Sequence, residues 1–185
     1  MFGGDLKSVE GKTFVYSHIE FVKKGDSISA SDKEKLVELA NSNWYVEIGD
    51  SNYPIWKGVV NSNISDDLLL EQLNLMADAF LRAHHFANIE IIFEKNYART
   101  NLTDLSKEVL EDVGSGYYYS TLYSYEIKDN KIYSSHDEPW LVISGQNLYL
   151  EEYSIPYLPG DNYLGNDYSG TDASVEIRCY FDLKK

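Results

Sequence analysis

Val175-Glu176-Ile177-Arg178-Cys179-Tyr180-Phe181-Asp182-Leu183 alternates without a break, with Val, Ile, Cys, Phe and Leu separated by Glu, Arg, Tyr and Asp. Successive side chains of a strand point to opposite faces, so five apolar groups share one side. A strand with one oily face belongs to a sheet. Upstream, Tyr117–Lys128 alternates Tyr119, Tyr123, Tyr125 and Ile127 with Ser120, Ser124 and Glu126. Asp129-Asn130 supplies two residues that tolerate positive φ, as a tight hairpin requires. Lys131–Ser135 returns, Trp140–Ser144 follows, and Gly145-Gln146 fits a hairpin with Gly at its first central position. Asn147–Tyr153 is the next strand. Four consecutive strands on such short connections predict an antiparallel meander, and its oily face must be closed or covered. The expected fold is mainly β with two or three helices, the meander closing into a barrel.

Thr13–Val22 reads as a further strand, with Val15, Ile19 and Phe21 on one face and Tyr16, His18 and Glu20 on the other. Ser31 and Glu34 form a capping box ahead of Leu36, Val37, Leu39 and Ala40, which predicts a helix of about three turns. Trp44, Val46 and Ile48 alternate with Tyr45 and Glu47, and Gly49-Asp50-Ser51-Asn52 turns the chain into Tyr53–Val60. Pro54 and Gly58 reduce that second run to an edge strand or loop. Ser65 caps a stronger helix, with Asp66 and Asp67 at the positive end of its dipole. Leu69, Leu73, Met76 and Phe80 form its stripe, with Leu70, Ala77, Leu81 and His84 alongside, so the helix packs firmly. Ile89, Ile91 and Phe93 open a strand running to about Arg99, Asn101–Asp112 has helical character, and Ile155–Ala173 is a polar loop. The expected organisation is a single domain over residues 1–185, with a helical insertion at about 31–86.

Sixteen basic and thirty acidic residues give a net charge of −14. A nucleic-acid backbone or an anionic membrane needs clustered cations, so neither is an expected partner. No stretch is long and apolar enough to span a bilayer. Cys179 is the single cysteine, so no internal disulfide forms, and its inward position on a strand reads as a buried thiol.

Candidate chemistry is sparse. His84-His85 are adjacent, so on a helix they point about 100° apart and cannot chelate one metal from one face. Asp161, Asn162, Asn166, Asp167 and Asp172 are oxygen-rich, yet their spacing is not the twelve-residue calcium loop, and a solvated loop is the better reading. Glu90, Glu151-Glu152 and Glu176 are carboxylates on strands, and His18, Glu20 and His136-Asp137-Glu138 could join an acid–base site, but no pair is singled out for glycoside hydrolysis. No nucleophile elbow, phosphate loop or dinucleotide fingerprint occurs. No catalytic residue, metal or cofactor is assigned, and the chain is read as a non-enzyme. Sixteen tyrosines are the unusual count. Half-buried Tyr is a good strand former, and Tyr at a barrel mouth also holds apolar or amphipathic ligands.

Several motifs carry a resemblance. Gly11-Lys12-Thr13-Phe14-Val15-Tyr16 comes first, and a helix ending Met76-Ala77-Asp78-Ala79-Phe80 leads into Asn88-Ile89-Glu90-Ile91-Ile92-Phe93-Glu94. Then come Tyr125-Glu126-Ile127-Lys128-Asp129-Asn130-Lys131-Ile132 and Leu141-Val142-Ile143-Ser144-Gly145-Gln146-Asn147-Leu148-Tyr149-Leu150. Together they resemble the small lipocalin-like (calycin-type) barrel domains of secreted bacterial lipoproteins. The resemblance implies a lipocalin-like barrel of about eight strands in an extracellular or cell-envelope setting. A monomer is expected, and its membrane anchor would be a lipidated N-terminus lying outside this chain. The family shares no catalytic motif to carry over. Its implied function is to bind a small apolar or amphipathic ligand in the barrel mouth, where Tyr119, Tyr123, Tyr125, Trp140, Met76 and Phe80 are the expected lining. Two alternatives stay open. One is a cell-envelope interaction module with a side-chain-filled barrel and the 155–173 loop as contact surface, and the other a carboxylate-dependent hydrolase of sugars or lipids.

Overall fold

The computed structural model describes residues 8–102, 122–134, 139–151 and 172–185. In chain order the elements are β1 (Thr13–Lys23), α1 (Ala30–Ala40), β2 (Tyr45–Ile48), β3 (Ser51–Pro54), α2 (Asp66–Ala83), β4 (Ile89–Glu94), β5 (Tyr97–Leu102), β6 (Leu122–Lys128), β7 (Lys131–Ser134), β8 (Pro139–Ser144), β9 (Asn147–Glu151) and β10 (Val175–Leu183). Eight strands close an antiparallel barrel in the order β1-β10-β9-β8-β7-β6-β5-β4, with β4 returning to β1. β2 and β3 form a separate two-stranded sheet.

The turns follow from the residues that occupy them. Asp129 and Asn130 both take positive φ (51° and 59°) between paired Lys128 and Lys131. This is the type I′ geometry, whose twist matches that of the flanking strands. Gly145 alone has positive φ (60°) between Ser144 and Asn147, which fits type II′. Gly49 (φ 61°) likewise turns Ile48 into Ser51. β3 ends at Pro54, and the chain from Trp56 to Ile64 is loop, in line with the edge-strand-or-loop reading. The expected single strand from Ile89 to about Arg99 is corrected. It breaks at Lys95-Asn96 into the β4–β5 hairpin, with Glu94 opposite Tyr97 and Asn96 at φ 67°. After Gly, Asn enters the left-handed region most readily.

The faces of β1 are a second correction. Phe14 and Tyr16 are buried in its first half, and Ile19 and Phe21 in its second, so the inward parity changes partway along. Thr13 O accepts Lys184 N–H, and Ser174 O accepts Lys24 N–H. Eleven steps of β1 (24 − 13) therefore lie opposite ten of β10 (184 − 174). One extra residue is a β-bulge, and the consecutive half-buried pair Ser17-His18 marks its place. The slip turns Tyr16 inward, where its ring meets Phe86 edge-on at 5.2 Å and Phe181 at 6.4 Å.

The chain divides into two compact units. The first comprises Met1–His18, His85–Glu151 and Tyr180–Lys185. Cross-strand partners Ile132 and Leu141, and Ile143 and Leu148, are buried together with Phe14, Ile91, Phe93 and Ala98. Phe14 and Phe93 pack edge to face at 5.7 Å. On the opposite face the Glu90 carboxylate is buried and bonded to the Lys184 ammonium.

The second unit comprises Ile19–His84 and Glu152–Cys179. Here α1 is capped by Ser29 rather than Ser31: the Ser29 hydroxyl accepts Asp32 N–H at 3.2 Å. The cap moves two residues because Asp32 turns inward, where its carboxylate accepts Ser174 N–H at 2.7 Å and the Ser174 hydroxyl at 2.5 Å. Ser65 caps α2 as expected, and Asp66 accepts Ile28 N–H at 2.9 Å and pairs with Lys33 at 3.1 Å. Asn74 holds α2 to β1 by accepting Phe21 N–H at 2.7 Å. The inner face of α2 buries Leu69, Leu70, Leu73, Met76, Ala77, Phe80 and Leu81. Trp44 fills the space beyond, its N–H bonded to Leu39 O and its ring edge-on to Phe80. Cys179 is fully buried, and that burial pushes its thiol far up.

Candidate functional site

Between β3 and α2 the chain runs Trp56-Lys57-Gly58-Val59-Val60-Asn61-Ser62-Asn63-Ile64 without regular structure. It is nevertheless pinned. Asn41, the last cap of α1, clasps Val60 with both ends of its side-chain amide: Nδ2 donates to Val60 O at 3.0 Å, and Oδ1 accepts Val60 N–H at 2.6 Å. Asn61 Oδ1 accepts Asn63 N–H at 2.8 Å, an Asx turn that feeds into Ser65. The Trp56 indole folds back over Gly58 so closely that a Cβ there would stand 2.6 Å from the ring. Only glycine permits that packing.

Pinning decides which side chains face water. Val60 is tucked in at 7% exposure, whereas Val59 is left 89% exposed. With Trp56, Val60, Asn61, Asn63, Ile64, Leu68 and Gln72, Val59 lines an open groove of about 450 Å³ against the start of α2. Its walls are overwhelmingly apolar. Two polar atoms there, Trp56 Nε1 and Gln72 Oε1, are shielded from solvent and find no hydrogen-bond partner among the described residues. A buried donor or acceptor left unpaired costs about 1–3 kcal/mol.

Exposed large apolar side chains gather in this same unit. Tyr45, Ile48 and Tyr53 stand on the β2–β3 hairpin and Leu68 and Leu75 on α2, all between 44% and 61% exposed. Val46, Ile48 and Tyr53 share one hairpin face, since Val46 pairs with Tyr53.

The residues expected to line a barrel mouth lie as follows. Met76 and Phe80 are buried on the inner face of α2, Phe80 between Trp44 and the His84 ring. Tyr125 is half-buried, packed edge-on to Phe93 at 5.3 Å, and its hydroxyl donates to Glu94 O at 2.8 Å. Burial, with the charge of Glu10, raises its phenol above the ordinary range. Tyr123 stands on β6 opposite Ala98, and Trp140 on β8. Tyr119, His136-Asp137-Glu138 and the acidic loop from Asp161 to Asp167 lie outside the described residues.

Two of the carboxylates weighed for acid–base chemistry have ion-pair partners. Glu90 bonds Lys184, and Glu176 holds Arg178 at 2.9 Å. His18 stacks on Tyr180 at 4.6 Å and meets the Ser17 hydroxyl through Nδ1, while Tyr180 leans on Tyr149 at 5.3 Å. His84 sits at the C-cap of α2, as its place in the sequence suggests. Among the described residues no three His, Cys, Asp or Glu side chains converge as metal ligands would.

The groove itself was hidden in the sequence. Its one local signal is Gly58-Val59-Val60 beyond a strand-ending proline, a run too apolar for an ordinary surface loop. Comparison with protein-family models, with curated proteins and with solved structures finds no match to this chain.

Proposed function

We propose that this chain is a non-enzymatic, lipocalin-like barrel protein of the extracellular space or cell envelope. In this reading it binds an apolar or amphipathic ligand, and the binding surface is the Trp56–Gln72 groove of the helical insertion rather than the barrel mouth. The observation that carries this reading is the groove itself, about 450 Å³ of apolar wall with a pinned, 89% exposed Val59 at its rim. That volume falls within the roughly 300–1,000 Å³ of small-ligand sites. The extracellular setting and lipid anchor rest on the resemblance of the hairpin motifs to lipoprotein barrels. Fractionation of the native cells and metabolic labelling with palmitate test them.

Titration with a neutral apolar dye, N-phenyl-1-naphthylamine, tests the groove. Saturable enhancement of dye fluorescence is expected. Val59→Asp should weaken it tenfold or more, because burying a valine is worth about 1.5–3 kcal/mol. Equal dye affinity in wild type and Val59→Asp sinks the assignment.

A further inference from the structure

Resting on that reading, we infer that the occupant of the groove is an amphipathic helix with basic flanks, presented by a partner protein and laid along α2. The inner face of α2, from Leu69 to Leu81, covers an arc of about 140° at about 100° per residue. Beside it runs a second stripe, Leu68, Gln72, Leu75 and Ala79, within about 60°. Its spacing is four, three and four residues, the seam that accepts the side chains of a neighbouring helix. Leu68 is 45% and Leu75 61% exposed, and Ala79 faces solvent. Leu68 and Gln72 also line the groove, so stripe and groove form one continuous surface.

Charge selects among helices. Glu71 flanks the stripe, exposed and unpartnered among the described residues, and Glu47 and Asp50 on the hairpin are likewise exposed and unpaired. The cations nearby are exposed Lys57 and Arg82, and Arg82 is bonded to Asp78 at 2.9 Å. The whole chain carries −14, which opposes docking of a second copy and favours a cationic partner. Insertion of an apolar helix face into an apolar groove is the helix-in-groove mode of recognition, and Glu71 beside the stripe favours basic residues flanking that face.

Two synthetic helical peptides of about 18 residues test this. Both carry leucine at the a and d heptad positions, and they differ in having lysine or glutamate at the flanking positions. Fluorescence anisotropy with the full chain should show the lysine peptide binding at least tenfold more tightly, an advantage that shrinks as salt rises. Leu75→Asp should weaken it tenfold or more, and Glu71→Lys should narrow or invert the preference between peptides. If Leu75→Asp does not fold, as circular dichroism reports, Leu75→Ala keeps the helix and should still lower affinity several-fold. Equal binding of the two peptides overturns the inference, as does indifference to Leu75, while a Val59-sensitive dye signal leaves the groove standing. Loss of the dye signal in wild type removes the groove reading itself. A dimer in sedimentation that Leu75→Asp splits also overturns the inference, in favour of a second copy.

Discussion

Asp32 offers the sharpest test of how the second unit is held together. Its carboxylate is 8% exposed and accepts two bonds from Ser174, the residue just before β10, whose carbonyl in turn accepts Lys24 N–H. Ser29 joins the same network, capping α1 through Asp32 N–H and donating its own N–H to the Ser174 hydroxyl at 2.9 Å. Removing the carboxylate in Asp32→Ala therefore strands two donors at once. Hydrogen bonds to a charged group are worth about 1.5–3 kcal/mol each, and neighbouring bonds add incompletely. A loss of about 2–4 kcal/mol follows, or roughly 5–15 °C in Tm for a chain of this size. Asp32→Asn keeps one acceptor oxygen and should lose about 1–2 kcal/mol.

The pH dependence separates charge from shape. Burial alone would raise the Asp32 carboxyl, but the bonds from the Ser174 hydroxyl, the Ser174 backbone and Ser29 outweigh it and hold the group below its ordinary value. A depressed carboxyl stabilises the fold at every pH above its unfolded value of about 3.9, and that contribution fades as pH falls from there through the folded value. Urea unfolding of wild type and Asp32→Asn, followed by tryptophan fluorescence, should give a constant gap from about pH 5 to 8 that narrows below about pH 4. Asp66 is also depressed, through Ile28 N–H and Lys33, but it titrates in both proteins and cancels in the difference. A gap under about 0.5 kcal/mol at pH 7, or one of equal size at pH 3, refutes the latch.

Three further outcomes follow from local geometry. His85 sits at φ 65° just past the C-cap of α2, a position where glycine escapes the side-chain penalty, so His85→Gly should raise stability by about 0.5–1 kcal/mol in a thermal melt. Gly58→Ala forces the Trp56 indole off its seat, so tryptophan emission should shift to the red and dye affinity in the groove should fall, with little change in global Tm. Lys184→Met leaves the buried Glu90 carboxylate without its cation; with Lys184 itself half-exposed, the expected loss is about 1–2 kcal/mol, and Glu90→Gln on the same background should recover part of it.

The barrel was legible because its signals are local. Val175–Leu183 shows its inward face at every second residue, and Asp129-Asn130 and Gly145-Gln146 announce their turns by the φ values they tolerate. What escaped reading depends on contacts distant in sequence. The bulge at Ser17-His18 is visible only once β10 lies opposite β1, because one extra residue leaves both flanking runs looking like regular strand. Ser31 with Glu34 is the better capping box on paper, yet Ser29 caps, because Ser174, 142 positions away from Asp32, draws that carboxylate inward. The break at Lys95-Asn96 rests on one left-handed Asn in an otherwise strand-like run.

The groove escaped for a different reason. Apolar periodicity cannot distinguish a side chain that is covered from one that waits to be covered. On α2 the inner set of seven residues, Leu69 to Leu81, is enough to seat the helix. Leu68 and Leu75 lie outside that arc, and the expected stripe of Leu69, Leu73, Met76 and Phe80 with its neighbours did not include them. A helix needs one stripe for each surface it meets. Apolar residues beyond the first stripe, set at helical spacing and bounded by Glu71, therefore count as a second contact surface rather than as surplus core. The same logic applies to Val59 and Val60: Asn41 fastens one of the pair, and geometry alone sends the other into solvent. An exposed valine on a loop that is held still loses little further entropy when a ligand covers it. Pinning by Asn41, Asn61 and Gly58 thus ties the local structure of this loop to its capacity to bind.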